Sequence, residues 1–390
     1  MLFSNKIMNA MRKIINRYIF QEIAFPFLII LGILTFVLLM GKILQIMDLV
    51  INKGVSPFSI VKIIFFLMPS FLLFAIPIAL LISILIAMGR LSADNELTAL
   101  KTSGISLLQI LYPVALASLI AFGFTLLISY FVVPASNFAT KRLLFDIVRQ
   151  NATIGIKEKV FNSDFKDFLI YADKVPIDKN YLEGVIVSDH RIIHEQNTIL
   201  AKRAYLISDP ESLTVKLKLE DGSIHTVSSD LKNYRKVNFA SYDIYLNLAG
   251  AFASYNESSK SSTEMTMTEL LKKMKEPGID AAAVRELSIE VHKKFSIPLS
   301  CLFFGLIGLP LGIRSHRSVK SRGFAVGLVV VCVYYLLRVG GEALVETGLL
   351  PALIGVWAPN IFFAVLGILL FYAANREISL PRLFKLRKPL

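Results

Sequence analysis

Hydrophobic and polar positions divide the chain into six long apolar runs, with one long hydrophilic block between the third run and the fourth. A helix of about 20 residues, rising ~1.5 Å per residue, crosses a hydrocarbon core of about 30 Å. The runs are Ala24–Met47, Ile60–Met88, Ile105–Val133, Phe295–Ile313, Phe324–Leu344 and Ile354–Ala374. This pattern predicts a membrane α-helical protein with six transmembrane helices, three on each side of an inserted domain.

The run boundaries predict three parts. Residues 1–133 hold the N-terminus and the first three helices, residues 134–292 form the insert, and residues 293–390 hold the last three helices and a basic tail. Helical connectors are predicted at both edges of the insert, over Ser136–Gln150 on one side and over Thr268–Lys275 and Ala281–Lys294 on the other.

Within the insert, short alternating segments replace the long apolar runs. Val215-Lys216-Leu217-Lys218-Leu219 alternates with period two, as a half-buried strand does. Asp221-Gly222 follows and predicts a tight hairpin turn. The other strand candidates are Phe168–Ala172, Gly184–Ser188, Arg191–His194, Ile199–Ser208 and Tyr242–Leu248. Their spacing predicts an all-β, jellyroll-like domain, either a sandwich or an open roll.

Basic residues concentrate in the N-terminal segment, in the loops after the second and fourth runs, and in the C-terminal tail. The short loops on the other side of the membrane hold only Lys53. Positive charge marks the cytoplasmic side, so both termini are predicted to be cytoplasmic and the insert to lie outside. The insert is nearly balanced in charge, and the chain's net +13 therefore belongs to its membrane parts. The excess reflects topology and gives no reason to expect nucleic-acid binding.

Several kinds of chemistry have no sequence support. The chain has no G-x-x-x-x-G-K-[ST], H-E-x-x-H or G-x-S-x-G motif, so it lacks a P-loop nucleotide site of its own and is not predicted to be an enzyme. Glu290 and His292 point about 200° apart on a helix, which disfavours a shared metal ion. No catalytic residue, cofactor or metal site is predicted. Both cysteines, Cys301 and Cys332, fall inside predicted membrane helices, so the insert folds without disulfides.

Three cations on three different helices are predicted at a similar depth in the outer leaflet: Lys42, Lys62 and Arg338. A charge at the centre of a bilayer costs about 2.5–3.5 kcal/mol, so each needs a reason. One hypothesis is a ring that binds the phosphates of an anionic lipid headgroup, to which Lys53 in the adjoining loop is added. The alternative is that both helical lysines reach up to the headgroups and Arg338 pairs with Glu342 at i,i+4.

The loop after the second run, from Arg90 to Gly104, predicts a short amphipathic helix. Ser92 or Asp94 can cap its N-terminus, and Gly104 suits a left-handed C-terminal cap. Its apolar stripe consists of Ala93, Leu97 and Leu100. A capped helix between two membrane spans can seat a permease on a soluble motor, although a plain turn is the alternative.

Local sequences add a family resemblance. They are Arg17-Tyr18, Glu96-Leu-Thr-Ala-Leu-Lys-Thr-Ser-Gly104-Ile-Ser, Glu290-Val-His-Lys-Lys-Phe-Ser-Ile-Pro298 and Pro310-Leu-Gly-Ile-Arg314. With these segments and its three-plus-three layout, essentially the whole chain resembles the lipopolysaccharide-export permeases (LptF/LptG, also called YjgP/YjgQ). The loop after the fourth run is more similar to the F-type subunit.

The resemblance implies a permease subunit of an ATP-binding-cassette exporter in the bacterial inner membrane. It implies pairing with an LptG-type six-helix permease and docking of a cytoplasmic LptB-type ATPase dimer. Lipopolysaccharide would enter from the outer leaflet near the first and fifth helices. It would then pass to the periplasmic β-jellyroll and on to LptC/LptA-type jellyroll proteins. The implied ATPase-coupling residues are Arg90, Asp94, Glu96, Leu97, Leu100, Lys101 and Gly104.

Inward residues of the insert would line the acyl-chain path, with Val215, Leu217 and Leu219 as candidates, although such residues can also be plain domain core. Two other functions stay open from the residues alone. One is a membrane scaffold that recruits periplasmic partners through its β domain. The other is a secondary transporter, which is disfavoured because such proteins place acids near the membrane midplane. Here the acids lie toward the helix ends, at Glu22, Asp48, Glu342 and Glu346.

Overall fold

The computed structural model describes residues 2–51, 57–150, 158–165, 168–176, 181–189, 195–209, 214–228, 234–247, 260–313 and 321–376. Its helices are α1 (Leu2–Ile51), α2 (Pro57–Ala93), α3 (Glu96–Thr102), α4 (Leu107–Leu127), α5 (Val133–Gln150), α6 (Met267–Lys273), α7 (Ala281–Ile313), α8 (Ser321–Glu346) and α9 (Ala352–Asn375). A π-helical turn, Ile128–Val132, joins α4 to α5 without a break.

Among the described residues, six helical segments are long and apolar enough to cross a membrane. They are Arg12–Leu44, Pro57–Ala93, Leu107–Leu144, Ala281–Ile313, Phe324–Glu346 and Ala352–Asn375. Each contains most or all of one predicted apolar run, so the prediction of six membrane helices is confirmed. The protein is a multi-pass membrane protein.

The chain separates into two compact units. The first comprises Met1–Met40, Leu67–Ser136 and Ser262–Leu390, and the second comprises Gly41–Phe66 and Asn137–Ser261. The first unit holds most of the membrane helices together with α3. The second holds the β-sheet and the ends of α1 and α2 that adjoin the loop between them.

Close backbone packing marks the first unit where α8 crosses α9. A Cβ atom added at Gly341 would overlap the carbonyl oxygen of Gly355, and a Cβ added at Gly355 would overlap Val345 and the backbone of Gly341. Membrane helices have little hydrophobic drive to associate, and small residues allow the close approach that gives them dispersion contacts. The two glycines therefore set the distance between these helices.

The second unit contains one antiparallel sheet. Its strands are β1 (Asn162–Phe165), β2 (Phe168–Lys174), β3 (Tyr181–Asp189), β4 (Glu195–Asp209), β5 (Thr214–Ser228) and β6 (Tyr234–Asn247). They lie in the order β1-β2-β3-β4-β5-β6, so each strand pairs with its neighbour in sequence. The predicted inserted β domain is confirmed. Among the described strands the connections form a meander, and the crossovers that define a jellyroll do not occur.

One face of the sheet forms the core of this unit. Side chains from β2 to β6 pack together in it, including Ile170, Val187, Ala204, Leu217 and Ile244, each at most 2 % exposed. The alternating segment around Leu217 is therefore a half-buried strand, as predicted. The candidate strand Arg191–His194 and the last residue of Tyr242–Leu248 lie outside the described residues.

A crease crosses the sheet where the alternation of side chains shifts by one residue. The ladder pairs are interrupted on one row, at Asp173, Gly184, Lys202, Asp221 and Ala240. Elsewhere in β3 and β4 neighbouring buried positions are two residues apart. Across this row the two nearest buried residues are three positions apart, Leu182 and Val185 in β3 and Ala201 and Ala204 in β4. Both sides of the crease therefore turn their apolar residues toward the same core.

The predicted hairpin at Asp221-Gly222 is wrong, because β5 runs through this pair without turning back. Asp221 does adopt the left-handed conformation that a tight turn uses, with φ of 53°. Here that conformation lies at the crease within one strand. Gly222 has a separate role, because a Cβ there would overlap the Phe239 ring of β6 and the carbonyl oxygen of Leu200.

Helical connectors link the sheet to the membrane helices. The predicted extension of the third membrane helix is confirmed by α5, and α6 and α7 match the predicted return to the membrane. Thr266 and Glu269 form a capping box at the start of α6, which satisfies backbone N–H groups that the first turn leaves free.

Candidate functional site

The predicted docking helix is shorter than its sequence suggested. α2 continues to Ala93, and α3 covers only Glu96–Thr102. Neither proposed cap forms: the Ser92 hydroxyl donates instead to the carbonyl oxygen of Ile313 at 3.0 Å, and the N-cap position is Asn95, in the left-handed conformation with φ of 58°. The prediction of a helix over residues 90–104 is therefore corrected at its N-terminal end.

The C-terminal end of α3 is as predicted. Gly104 has φ of 84°. Its N–H donates to the carbonyl oxygen of Lys101, and the N–H of Ile105 donates to the carbonyl oxygen of Leu100. This pair of bonds is the Schellman motif, which satisfies the last carbonyls of a helix. Leu97 is 3 % exposed and Leu100 is half-buried, so the apolar side of α3 packs against the helix bundle.

A polar cluster joins α3 to the N-terminal part of α1. The Tyr18 hydroxyl donates to Oε2 of Glu96 at 2.8 Å, and Nη2 of Arg90 donates to the Tyr18 oxygen at 3.2 Å. Arg90 also forms an ion pair with Glu22, with 2.6 Å between Nη2 and Oε1. Four side chains from three helices are thus linked, and we call Tyr18, Glu22, Arg90 and Glu96 the anchor cluster.

Apolar side chains surround the anchor cluster. Ile19 and Ile23, on the same helix as Tyr18, are 0 % and 1 % exposed. They belong to the same packed core as Leu91 at the end of α2 and Leu97 of α3. The polar links are therefore backed by a contiguous apolar contact surface that fixes the N-terminal part of α1 to α3.

The remaining predicted coupling residues lie close to this surface. Arg90 is in the last turn of α2 rather than in the docking helix, and Asp94 is exposed in the turn between α2 and α3. Lys101 lies in the last turn of α3, where a cation complements the helix dipole. The predicted set is therefore contiguous in the fold, although it spans two helices and the turn between them.

Arg338, one of the predicted cations, is held within the protein. It is 7 % exposed, and its Nε donates to Oε1 of Glu342 at 2.8 Å. Lys293 of α7 lies 3.6 Å from Glu342 and 3.4 Å from Glu290. These four residues, Glu290, Lys293, Arg338 and Glu342, form a charge network between α7 and α8. Arg338 therefore pairs with Glu342, as the alternative interpretation of the sequence predicted.

The other predicted cations belong to the second unit. Lys62 is exposed and its ammonium lies 4.6 Å from the centre of the Phe58 ring, a cation–π contact. Lys42 is exposed on α1. Lys53 lies outside the described residues. A meeting of these lysines with Arg338 stays a prediction.

Asn360 of α9 links three membrane helices through a buried amide. Its Nδ2 donates to the carbonyl and hydroxyl oxygens of Ser296 on α7 at 2.8 Å and 2.9 Å, and its Oδ1 accepts from the Tyr334 hydroxyl of α8 at 3.0 Å. Asn360 is 1 % exposed. Because its amide is satisfied on both sides, this bridge specifies how α7, α8 and α9 meet.

Two of the three residues predicted to line the acyl-chain path have side chains that the structure describes. Leu217 and Leu219 are both 0 % exposed on the inner face of the sheet, as their predicted orientation requires. Val215 lies in β5, but its side chain lies outside the described part of the structure. On the opposite face, Lys216 pairs with Asp243 at 2.6 Å and Lys218 with Glu220 at 2.9 Å. The Glu220 carboxylate raises the pKa of Lys218 above its ordinary value.

His292 makes a hydrogen bond within the helix bundle. Its Nδ1 accepts from the indole N–H of Trp357 at 3.3 Å. In the part of the chain that the structure describes, no group of three or more His, Cys, Asp or Glu side chains is arranged to hold a metal ion. His190 and His194 lie outside that part.

Sequence reasoning missed the contacts that make the site. Tyr18 was noted as part of a motif and Glu22 as an acid beside a span, but their partners lie more than 65 residues away in sequence. Glu22, Arg90 and Glu96 are charged residues near the same end of the first two spans. Because charges at that depth need partners, their positions were a usable signal that they contact one another. Nothing in the sequence indicated that Asn360 would bridge two other helices.

Comparison with known proteins agrees with this architecture. The family model "Lipopolysaccharide export system permease LptF/LptG" matches residues 17–373, which include five apolar runs, the sixth except for its last residue, and the β insert. The chain belongs to the LptF/LptG family of lipopolysaccharide export permeases. It is also similar to the uncharacterized protein RP871 of Rickettsia prowazekii (strain Madrid E), with 22 % identity over 309 residues, 78 % of this chain and 83 % of that protein.

Proposed function

We propose that this protein is a transmembrane subunit of an ATP-driven exporter that extracts lipopolysaccharide from the outer leaflet of the bacterial inner membrane. The observation that carries the proposal is the match to the permease family, which spans both membrane halves and the insert. Family members take part in lipopolysaccharide export, and the six spans and the short helix α3 supply the parts that such a permease needs.

In this proposal the chain acts with separate partners. An LptB-type ATPase dimer binds α3 from the cytoplasm, and an LptG-type permease pairs with this chain as its LptF-type counterpart. LptC/LptA-type jellyroll proteins receive the lipid. Supporting this division, the sequence contains no P-loop motif, so nucleotide hydrolysis is assigned to a partner. Both termini lie in the cytoplasm and the β domain in the periplasm, because the basic residues flank the spans on the opposite side from the insert.

Energy enters the permease at α3. The proposed coupling residues are Glu96, Leu97, Leu100, Lys101 and Gly104, with Arg90 and Asp94 beside them, and the buried Leu97 acts by holding α3 on the bundle. The geometry supports a rigid contact, because α3 is closed by a Schellman motif and backed by the packed core around Leu97. A seven-residue helix held in this way can move as a rigid unit when a bound partner moves.

The lipid path begins in the outer leaflet and continues into the β domain. Lys42, Lys62 and Lys53 are proposed to bind headgroup phosphates, since phosphate oxygens form charge-assisted hydrogen bonds with ammonium groups. Arg338 is proposed to act with them from within the charge network that includes Glu342. The apolar inner face of the sheet, with Val215, Leu217 and Leu219, is proposed to receive the acyl chains.

The test is purification of the tagged chain from a native membrane. The proposal expects an ATPase and a second six-helix permease to co-purify, with ATP hydrolysis stimulated by lipopolysaccharide. It also expects Glu96→Ala to lower the amount of bound ATPase, while Thr98→Ala on the exposed side of α3 retains it. Purification of the chain without any ATPase, or an ATPase rate that neither variant changes, would contradict the proposal.

A further inference from the structure

Resting on the proposed ATP-driven function, we infer that Tyr18 is a positioning residue that passes movement of the docking helix α3 to α1. The anchor cluster fixes the cytoplasmic base of α1 to α3. Pro26 then forms a hinge between this base and the lipid-facing arm of α1, which within the first unit runs from Phe27 to Met40. Displacement of α3 by the ATPase thereby tilts the arm of α1.

The first step is the strength of the link between α1 and α3. Tyr18 stands at its centre, because its hydroxyl donates to Glu96 at 2.8 Å and accepts from Arg90 at 3.2 Å. Arg90 is held in turn by Glu22, one helical turn beyond Tyr18 on α1. Hydrogen bonds to charged groups are shorter and stronger than neutral ones. α3 therefore cannot shift without moving the base of α1 or breaking this chain of bonds.

The second step is the contrast between the base of α1 and its arm. In the base, Ile19 and Ile23 are at most 1 % exposed and pack in the core that includes Leu97. Beyond Pro26 most large side chains are exposed, among them Leu28 at 66 % and Phe36 at 58 %. The base is thus fixed to the bundle of the first unit by fully buried side chains, whereas the arm contacts that core through the half-buried Phe27 and Leu31.

The third step is the position of the proline between them. Pro26 lacks an N–H group, so the carbonyl of Glu22, four residues earlier, receives no bond from the helix ladder at this point. Proline is a common site of helix bending for this reason. The residue whose carbonyl is released is itself a member of the anchor cluster. The helix is therefore most easily bent where its anchored base ends.

These observations separate hydrolysis from transport. The ATPase contacts α3 and needs neither Tyr18 nor the arm of α1 to hydrolyse ATP. Movement of the arm, by contrast, requires the Tyr18 link. Tyr18→Phe removes only the hydroxyl and retains the ring that packs against the core. We expect this variant to keep its ATPase rate while lipopolysaccharide transferred per ATP falls about five-fold or more, the usual scale of an energetic coupling between sites.

The experiment uses the full complex in proteoliposomes that contain lipopolysaccharide. ATP hydrolysis and lipid transfer to an acceptor jellyroll protein are measured together for the wild type, for Tyr18→Phe and for the control Tyr112→Phe, a change on the exposed surface of α4. In parallel, spin labels at Phe36→Cys and Ile120→Cys report the distance between the arm and α4, in a chain whose exposed Cys332 is replaced by serine.

The inference expects ATP with vanadate to change the label distance in the wild type and in the control, and expects Tyr18→Phe to lose that change. It is overturned if Tyr18→Phe retains both the distance change and the lipid transferred per ATP. It is also overturned if the wild type transfers lipid while the label distance stays fixed, and the proposed function then stands. Absence of any bound ATPase would remove the proposed function and the inference together.

Discussion

The hydroxyl of Tyr18 donates a 2.8 Å hydrogen bond to the carboxylate of Glu96, 78 residues later in the chain. One residue lies in the N-terminal part of the first membrane helix, and the other begins the helix proposed to receive the ATPase. Because Glu96 faces Tyr18, the docking helix has one fixed orientation on the bundle. The opposite side of this helix, which includes Thr98, is exposed.

Leu97→Asp is expected to prevent docking of the ATPase. Leu97 is 3 % exposed in the core beneath α3, and placing a carboxylate there destabilises the local structure by about 2 kcal/mol or more. Co-purification of the ATPase with the tagged chain measures the effect. Thr98→Asp puts the same carboxylate on the exposed side as a control for folding. Equal recovery of ATPase with wild type and Leu97→Asp would contradict the role of α3.

Asn360→Ala is expected to loosen the last three membrane helices. The substitution leaves the Tyr334 hydroxyl and a Ser296 acceptor without their buried partner, at a cost of about 1–3 kcal/mol. A lower midpoint temperature of unfolding in detergent is the expected readout. Asn375→Ala, at the exposed end of α9, serves as the matched control. The bridge is unimportant if both variants unfold at the wild-type temperature.

Gly341→Val is expected to push α8 and α9 apart, whereas Gly340→Val is expected to be tolerated. A Cβ at Gly341 meets the backbone of Gly355, but a Cβ at Gly340 meets nothing within 4 Å. Overpacking of this kind typically costs about 1–3 kcal/mol. Thermal unfolding of the two variants side by side measures the difference. Similar stability in both would show that the helices can separate at no cost.

Gly222→Ala is expected to destabilise the β domain. The added methyl group would overlap the Phe239 ring and the carbonyl oxygen of Leu200, and this backbone carbonyl cannot move without disturbing a paired strand. Faster cleavage of the insert by protease in the full-length protein is the expected result. Ser223→Ala, at the next position of β5, controls for the effect of any substitution there. Wild-type protease resistance in Gly222→Ala would show that the crease can widen.

Lys42→Glu combined with Lys62→Glu is expected to lower the lipid-stimulated ATPase activity of the complex, because two proposed phosphate partners become repulsive. The basal rate without lipid is expected to persist. Lys272→Glu, exposed on α6, makes a comparable charge change away from the proposed entry site. An equal loss in the control, or no loss in the double variant, would remove the lysines from the lipid path.

The membrane part of the fold could be predicted because its signal is local. About 20 apolar residues in a row have few alternatives to a spanning helix, and all six runs appear as such helices. The pairing of Arg338 with Glu342 could also be foreseen, since residues four apart meet on any helix. Its extension to Lys293 could not, because that residue is on another helix.

The wrong hairpin has a physical explanation. Asp221-Gly222 carries a preference for a left-handed residue, and Asp221 is left-handed. That preference is the same in a tight turn and in a crease within a strand. The choice between them depends on pairing with β4 and β6 and on the Phe239 ring over Gly222, which are contacts with distant residues. Likewise, Ser92 was predicted to cap a helix, but its hydroxyl donates a hydrogen bond to the carbonyl oxygen of Ile313, a residue distant in sequence.

The most direct test of lipopolysaccharide export is photo-crosslinking from the inner face of the β domain. A photoreactive residue at Leu217, which is fully buried there, is compared with one at Ile207, which is exposed on β4. In proteoliposomes with the complete complex, we predict lipopolysaccharide adducts at Leu217 that require ATP, and few at Ile207. Active ATP hydrolysis without adducts at Leu217, or adducts that form equally at both positions without ATP, would contradict lipid passage through the β domain.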